Sequence, residues 1–123
     1  MAKKSTRSIP LHMTQRSLHD LIAIEAYSVE QFGRRVANQY LDKLESGINR
    51  IKENPDLLRG EPPFHASLKF YRIEKHVLVC ETGVRGKIIV LTLLHGSMDI
   101  PARLAELEPA LVMEVAVLLK KLK

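Results

Sequence analysis

The stretch from Lys87 to Ile100 (Lys-Ile-Ile-Val-Leu-Thr-Leu-Leu-His-Gly-Ser-Met-Asp-Ile) restricts this chain more than any other. Ile88 to Leu94 is apolar at every position but Thr92, and the run stops at His95. It falls far short of the roughly 20 apolar residues a helix needs to cross a bilayer. Ile88, Ile89, Val90 and Thr92 are β-branched, and Gly86 and Gly96 bracket the run. A short apolar run of that composition between glycines predicts a strand buried on both faces, in the middle of a sheet. A histidine, a glycine and an aspartate follow, where the sheet ends and side chains meet solvent. The rest of the chain must supply neighbours for this strand.

Those neighbours can be read in order. Ile9–Met13 predicts a short edge strand, because Pro10 has no N–H to give to a ladder. Thr14 is placed to cap a helix over 15–32, with Leu18, Leu21, Ile22, Val29 and Phe32 on its inward side. Gly33 then ends that helix in the left-handed conformation. A second helix carries the stripe Val36, Tyr40, Leu44, Ile48 and Ile51 and stops at Asn54-Pro55, since proline disfavours helical geometry before it. Pro55, Gly60, Pro62 and Pro63 predict an irregular loop over 55–66. Strands at 68–73 and 76–81, a turn over 82–86 and the apolar run make an antiparallel meander. One or two helical turns follow at 101–107. A helix restarts at Pro109, where a missing N–H costs nothing. Its apolar positions Leu111, Val112, Val115, Leu118, Leu119 and Leu122 exceed what one contact face needs. One side is therefore expected to pack on the domain and the other to face a second chain.

The expected fold class is α+β: a small, mostly antiparallel sheet with a two-helix hairpin on one face, plus a C-terminal helix. The expected divisions are a flexible basic tail at 1–8, a domain at 9–105 and a helical extension at 106–123. The expected core is Leu21, Ile22, Tyr40, Leu44, Ile48, Phe70, Val77, Val79, Ile89, Leu91 and Leu93. A length of 123 residues suits one domain. A single cysteine, Cys80, forbids an internal disulfide and fits a reducing compartment. The basic start lacks the apolar core of a secretion signal. A cytoplasmic protein with no membrane partner is the expectation. The net charge of +5 is spread along the chain and suits an acidic protein partner or nucleic acid. Patterns for phosphate loops, zinc sites and nucleophile elbows are absent, so no cofactor and no metal is expected.

Three segments resemble one family. The Asn54-Pro55 helix ending, Arg72-Ile-Glu-Lys-His-Val77 and above all Leu94-His-Gly-Ser-Met-Asp-Ile100 are similar to the ParE branch of the RelE/ParE toxins. The resemblance spans roughly residues 9–105. The family ending usually reads His-Gly-x-Arg-Asp, and Met98 stands here at the arginine. The family's aromatic and basic strand residues are replaced by Val79-Cys80-Glu81. The resemblance implies the toxin half of a bacterial type II toxin–antitoxin pair, neutralised by a cognate, ParD-like antitoxin. It also implies action on DNA gyrase for ParE-type members, or mRNA cleavage on the ribosome for RelE-type relatives. A degenerate member that only binds an antitoxin is a third alternative. A homodimer or a hetero-oligomer with the antitoxin is the expected assembly.

His95 has the ordinary acid–base range of histidine. A nuclease would use it with Arg72 and Arg85 as cations, but no second acid or base is evident beside it. Catalytic residues are therefore not expected. The more economical reading is that His95 packs at the strand end and Asp99 caps the next helix. Arg72, Lys75 and His76 mark one strand corner, and Arg85 with Lys87 the next. If these ends meet they form a basic patch. The expected surface for the target or antitoxin is Arg72, Lys75, His76, Arg85, His95 and Met98, with Leu111, Val115 and Leu118 on the tail. Tyr27, Tyr40 and Tyr71 are expected in the core with hydroxyls reaching solvent, and Cys80 as inert packing.

Overall fold

The computed structural model describes residues 9–122; the basic tail 1–8 and Lys123 lie outside them. β1 (Leu11–Met13) leads into α1 (Gln15–Phe32) and α2 (Arg34–Glu53). After a 3₁₀ turn (Pro55–Leu57) come β2 (Arg59–Gly60), β3 (Lys69–Ile73), β4 (His76–Val84), β5 (Lys87–His95) and α3 (Ile100–Lys121). The five strands lie in the order β1-β5-β4-β3-β2, with only β1–β5 parallel.

The apolar run is β5, and every residue from Ile88 to Leu94 is buried. β1 pairs only with Ile88, Ile89 and Val90, so the edge of β5 beyond Val90 needs other partners. α1 provides them. The Thr14 backbone N–H donates to Val90 O, its hydroxyl donates to Leu91 O at 2.8 Å, and Asp20 accepts from Thr92 and from the Leu93 amide. The Thr14 hydroxyl also accepts from Ser17 N, as an N-cap does.

These bonds set the rotation of α1. Its inward stripe is Ser17, Leu21, Ile24 and Ser28, at helical spacing, with both serines buried. Leu18, Ile22 and Phe32 face solvent, contrary to the expected inward side, and Ile22 is 62% exposed. Small serines bring the helix close to the sheet, and the polar anchors decide which of two possible stripes turns inward. α2 buries Ala37, Leu44 and Ile51, while Val36 at its start is exposed. Gly33 links the helices with φ of 88°, open to glycine, but its ψ of 166° lies outside the left-handed helical well.

Both faces of the sheet are covered. The helix hairpin packs on Ile73, Leu78, Cys80, Ile88, Val90 and Leu93. α3 packs on the opposite face, where Leu104, Leu107 and Leu111 join Phe70, Val77, Val79, Ile89, Leu91 and Leu94. The expected sheet with a helix hairpin on one face and a C-terminal helix is thus completed as three layers. The register slips between Cys80↔Val90 and Val79↔Thr92, leaving Leu91 as an extra residue. The inward alternation of β5 changes phase there, so Ile88 and Val90 share the hairpin face with Leu93.

α3 is one continuous helix with Pro109 inside it, where a restart at Pro109 was expected. Pro109 removes the hydrogen bond to the Ala105 carbonyl. Both residues are exposed, so water can satisfy that carbonyl. Asp99 caps the helix by accepting from Ala102 N at 3.2 Å. The loop after Pro55 also departs from expectation, since β2 pairs with β3. Cys80 is fully buried on the hairpin face, and burial pushes its thiol up to about 12.

Candidate functional site

The register of the β4–β5 hairpin brings His76, the first residue of β4, directly opposite His95, the last of β5. Their rings stand 5.3 Å apart, edge to face. Tyr40 reaches the pair from α2, with its hydroxyl 2.7 Å from His76 Nδ1. That hydroxyl also accepts the Lys75 backbone N–H at 3.1 Å. Around this corner the Lys75 carbonyl accepts from Gly96 N, and Arg72 Nε donates to the Glu74 carbonyl. A Cβ on Gly96 would stand 2.6 Å from an Arg72 guanidinium nitrogen, so glycine there lets the cation lie over the chain. Met98 is exposed one turn beyond His95 and donates its backbone N–H to the His95 carbonyl.

A backbone donor fixes the tautomer of His95. His95 Nδ1 accepts the Ser97 backbone N–H at 3.1 Å and lies 2.7 Å from its hydroxyl. Its proton is therefore on Nε2. Burial first, and then the neighbouring His95, lower the His76 pKa to about 4, so His76 is neutral near pH 7. Burial also raises the Tyr40 pKa, keeping the phenol protonated. The Tyr40 hydroxyl and His76 Nδ1 are in hydrogen-bond contact, with the direction set by the imidazole tautomer. Both Nδ1 atoms are engaged within the protein.

Of the expected surface, Arg72, Lys75, His76, His95 and Met98 come together. Arg85 does not. It sits at the opposite end of the nine-residue β4, about 27 Å away at roughly 3.3 Å per residue. Arg85 and Gly86 form a two-residue turn, both with positive φ, so the two basic corners never meet. Leu111 is buried against the sheet, and Val115 and Leu118 are half-buried beside it. The exposed apolar residues of α3 are Val112, Met113 and Val117. The expected partner face of the tail is therefore its domain face. The absence of a second acid–base group beside His95 is likewise corrected, since His76 and Tyr40 occupy that position. A signal for His76 was present: counting outward from Arg85-Gly86 pairs it with His95, because one extra residue on each strand cancels. Tyr40 lies 36 residues from His76 on another element and carried no such signal. Tyr27 is exposed rather than core.

Next to the cluster an apolar groove of about 560 Å³ opens between the hairpin and the strand ends. Tyr27, Phe32 and Val36 form its outer wall, and Tyr40, His76 and His95 its floor. Among the described residues there is no cluster of three metal-ligating side chains and no helix long and apolar enough to cross a membrane.

The fold is similar to that of chains in two solved toxin–antitoxin systems. The chromosomal ParDE system from P. aeruginosa matches with a TM-score of 0.63 at 15% identity, over 72% of this chain and 97% of the other. The RelBE2 toxin–antitoxin complex from Mycobacterium tuberculosis matches with a TM-score of 0.50 at 12% identity, over 76% and 97%. The family model described as ParE toxin of type II toxin-antitoxin system, parDE, matches residues 11–100, and the chain belongs to that ParE toxin family. It is 28% identical to Toxin ParE of Escherichia coli over 94 residues, 76% of this chain and 91% of that one. It is 30% identical to Toxin ParE1 of Caulobacter vibrioides over 95 residues, 77% and 97%. The family match ends at Ile100, the first residue of α3.

Proposed function

We propose that this ParE-type toxin acts in the cytoplasm by binding a cellular target, DNA gyrase in the first instance, and that a cognate ParD-like antitoxin neutralises it. The carrying observation is the occupied histidine pair at the strand ends. A general base needs a free lone pair within reach of the proton it takes. Here both Nδ1 atoms are committed, to Ser97 and to Tyr40. Such a corner favours recognition over proton abstraction. A binding toxin needs a shaped surface with a few anchors, which the groove and corner supply.

The endonuclease reading keeps one observation in its favour, the grouping of Tyr40 and His76 around His95. Expression in a bacterial host with primer-extension mapping, beside a purified gyrase supercoiling assay, separates the two. Loss of supercoiling without mRNA cuts is the expected result. Discrete cuts that vanish in His95→Ala would replace this reading with the enzyme. Silence in both assays would assign the degenerate, antitoxin-binding alternative, consistent with Met98 at the family's arginine.

A further inference from the structure

Leu104, Leu107 and Leu111 turn one side of α3 to the sheet. Directly opposite, at helical spacing, Glu106, Pro109, Met113, Val117 and Lys120 are all exposed. Met113 is 66% and Val117 49% exposed, and Val112 beside them is also open. On a small chain such an apolar face marks a contact site. Its charges are ordered: Glu106 stands seven residues before Met113, and Lys120 seven after it. The two charges are about 21 Å apart along the axis, at 1.5 Å per residue, too far to pair within one helix. Arg103 holds Glu106 at 3.0 Å through one carboxylate oxygen only, an exposed pair of the weak kind. No ion pair among the described residues uses Lys120.

We propose that the outer face of α3 joins a second copy of this chain in an antiparallel two-fold dimer centred on Met113. Half a turn about an axis at Met113 sets Met113 against its own copy, Pro109 against Val117 and Glu106 against Lys120. A two-fold contact needs a patch that complements itself. Here two ion pairs of opposite sign form at once and flank an apolar centre. Parallel pairing would instead set glutamate on glutamate and lysine on lysine. The charge order therefore fits a second copy in one orientation, whereas an unrelated helix asks for no such symmetry. A contact made by one helix face falls below the roughly 1,200 Å² of a standard interface, so the dimer is weak and depends on concentration. The family match ends at Ile100, so the contact belongs to the extension of this chain. The helix hairpin covers the other face of the sheet and is left open by such a dimer.

Sedimentation equilibrium of the full chain, from micromolar to submillimolar concentration, tests this. The expected result is a monomer–dimer equilibrium that weakens with added salt. Met113→Glu, at an exposed position, should keep the native melting curve and weaken the dimer about tenfold or more, because it sets two like charges together at the axis. Glu106→Lys and Lys120→Glu should each weaken self-association about tenfold. Mixed in equal amounts, those two variants should associate with each other at wild-type strength, since every charged contact is again of opposite sign. Two variants that fail alone and pair together cannot owe the loss to misfolding. Phe32→Glu, on the exposed face of the hairpin, should leave the dimer unchanged. A chain that stays monomeric overturns the proposal. So does a dimer indifferent to Met113→Glu or to the charge reversals, or one lost in Phe32→Glu. Charge variants that weaken the dimer and are not restored by mixing would overturn the antiparallel register.

Discussion

The Asp20 carboxylate occupies the place of a missing strand beside Leu93. β1 is too short to reach Leu93, and the same carboxylate oxygen takes the Leu93 amide at 3.0 Å and the Thr92 hydroxyl. Removing it leaves an amide and a buried hydroxyl without a partner. Asp20→Ala should lower stability by about 1–3 kcal/mol, the usual cost of orphaned buried polar groups. Chemical denaturation measures this. Asp20→Asn, which keeps one acceptor oxygen, should recover part of the loss, and an unchanged midpoint for Asp20→Ala would show that water replaces the carboxylate.

Gly47 is buried on α2, and a methyl there would collide with the Ile73 side chain on β3. Helix propensity alone favours alanine over glycine by about 1 kcal/mol. Overpacking a tight core costs about 1–3 kcal/mol. Ile73 is buried and has little room to yield, so the second effect should win and Gly47→Ala should melt lower. A higher melting temperature would mean that Ile73 has a second rotamer available.

The two apolar layers should prove equally necessary. Leu44 lies under the hairpin, while Leu91 and Leu104 lie between the sheet and α3. Each truncation to alanine should cost about 2–5 kcal/mol, as buried leucines do. Leu104→Ala is the informative variant, because Leu104 stands outside the family match. Wild-type melting of Leu104→Ala would make α3 an appendage rather than part of the core.

His76 gives stability a pH dependence. In the unfolded chain a histidine takes up its proton near pH 6.5, while in the fold burial holds His76 to about 4. Between these values the unfolded state binds more protons, so stability from this residue is complete above 6.5 and falls as the pH drops toward 4. His76→Gln should show a shallower fall in melting temperature between pH 6.5 and 4.5 than wild type. Identical slopes would remove His76 as the source. The half-buried ring keeps this effect smaller than that of a fully enclosed histidine.

Periodicity and end signals located most elements. Thr14, Gly33, Asn54-Pro55 and Asp99 each stand at the predicted boundary, because each acts on the backbone next to it. Orientation was harder to read. α1 has two candidate stripes, and hydrophobicity alone selects Leu18, Ile22 and Phe32. The choice is made by Thr14 and Asp20 bonding to β5, a contact more than seventy residues away in sequence. On α3 a packed side and an open side were legible, but not which residues lie on each: Leu111, Val115 and Leu118 pack on the sheet, while Val112, Met113 and Val117 face solvent. At the site, the strand corners were legible as residues and their meeting was not. It depended on a two-residue turn and two compensating bulges, which place His76 with His95 and send Arg85 to the far end.

Cys80 gives the protein a built-in clock. It is the only thiol in the chain and is fully enclosed between the sheet and the hairpin. A thiol-specific reagent added under native conditions has nothing to attack until that layer parts. The rate of labelling therefore times the opening of the hairpin face directly, without denaturant. Bound antitoxin or target that clamps the hairpin would register as a slower clock, even where no spectral change accompanies binding.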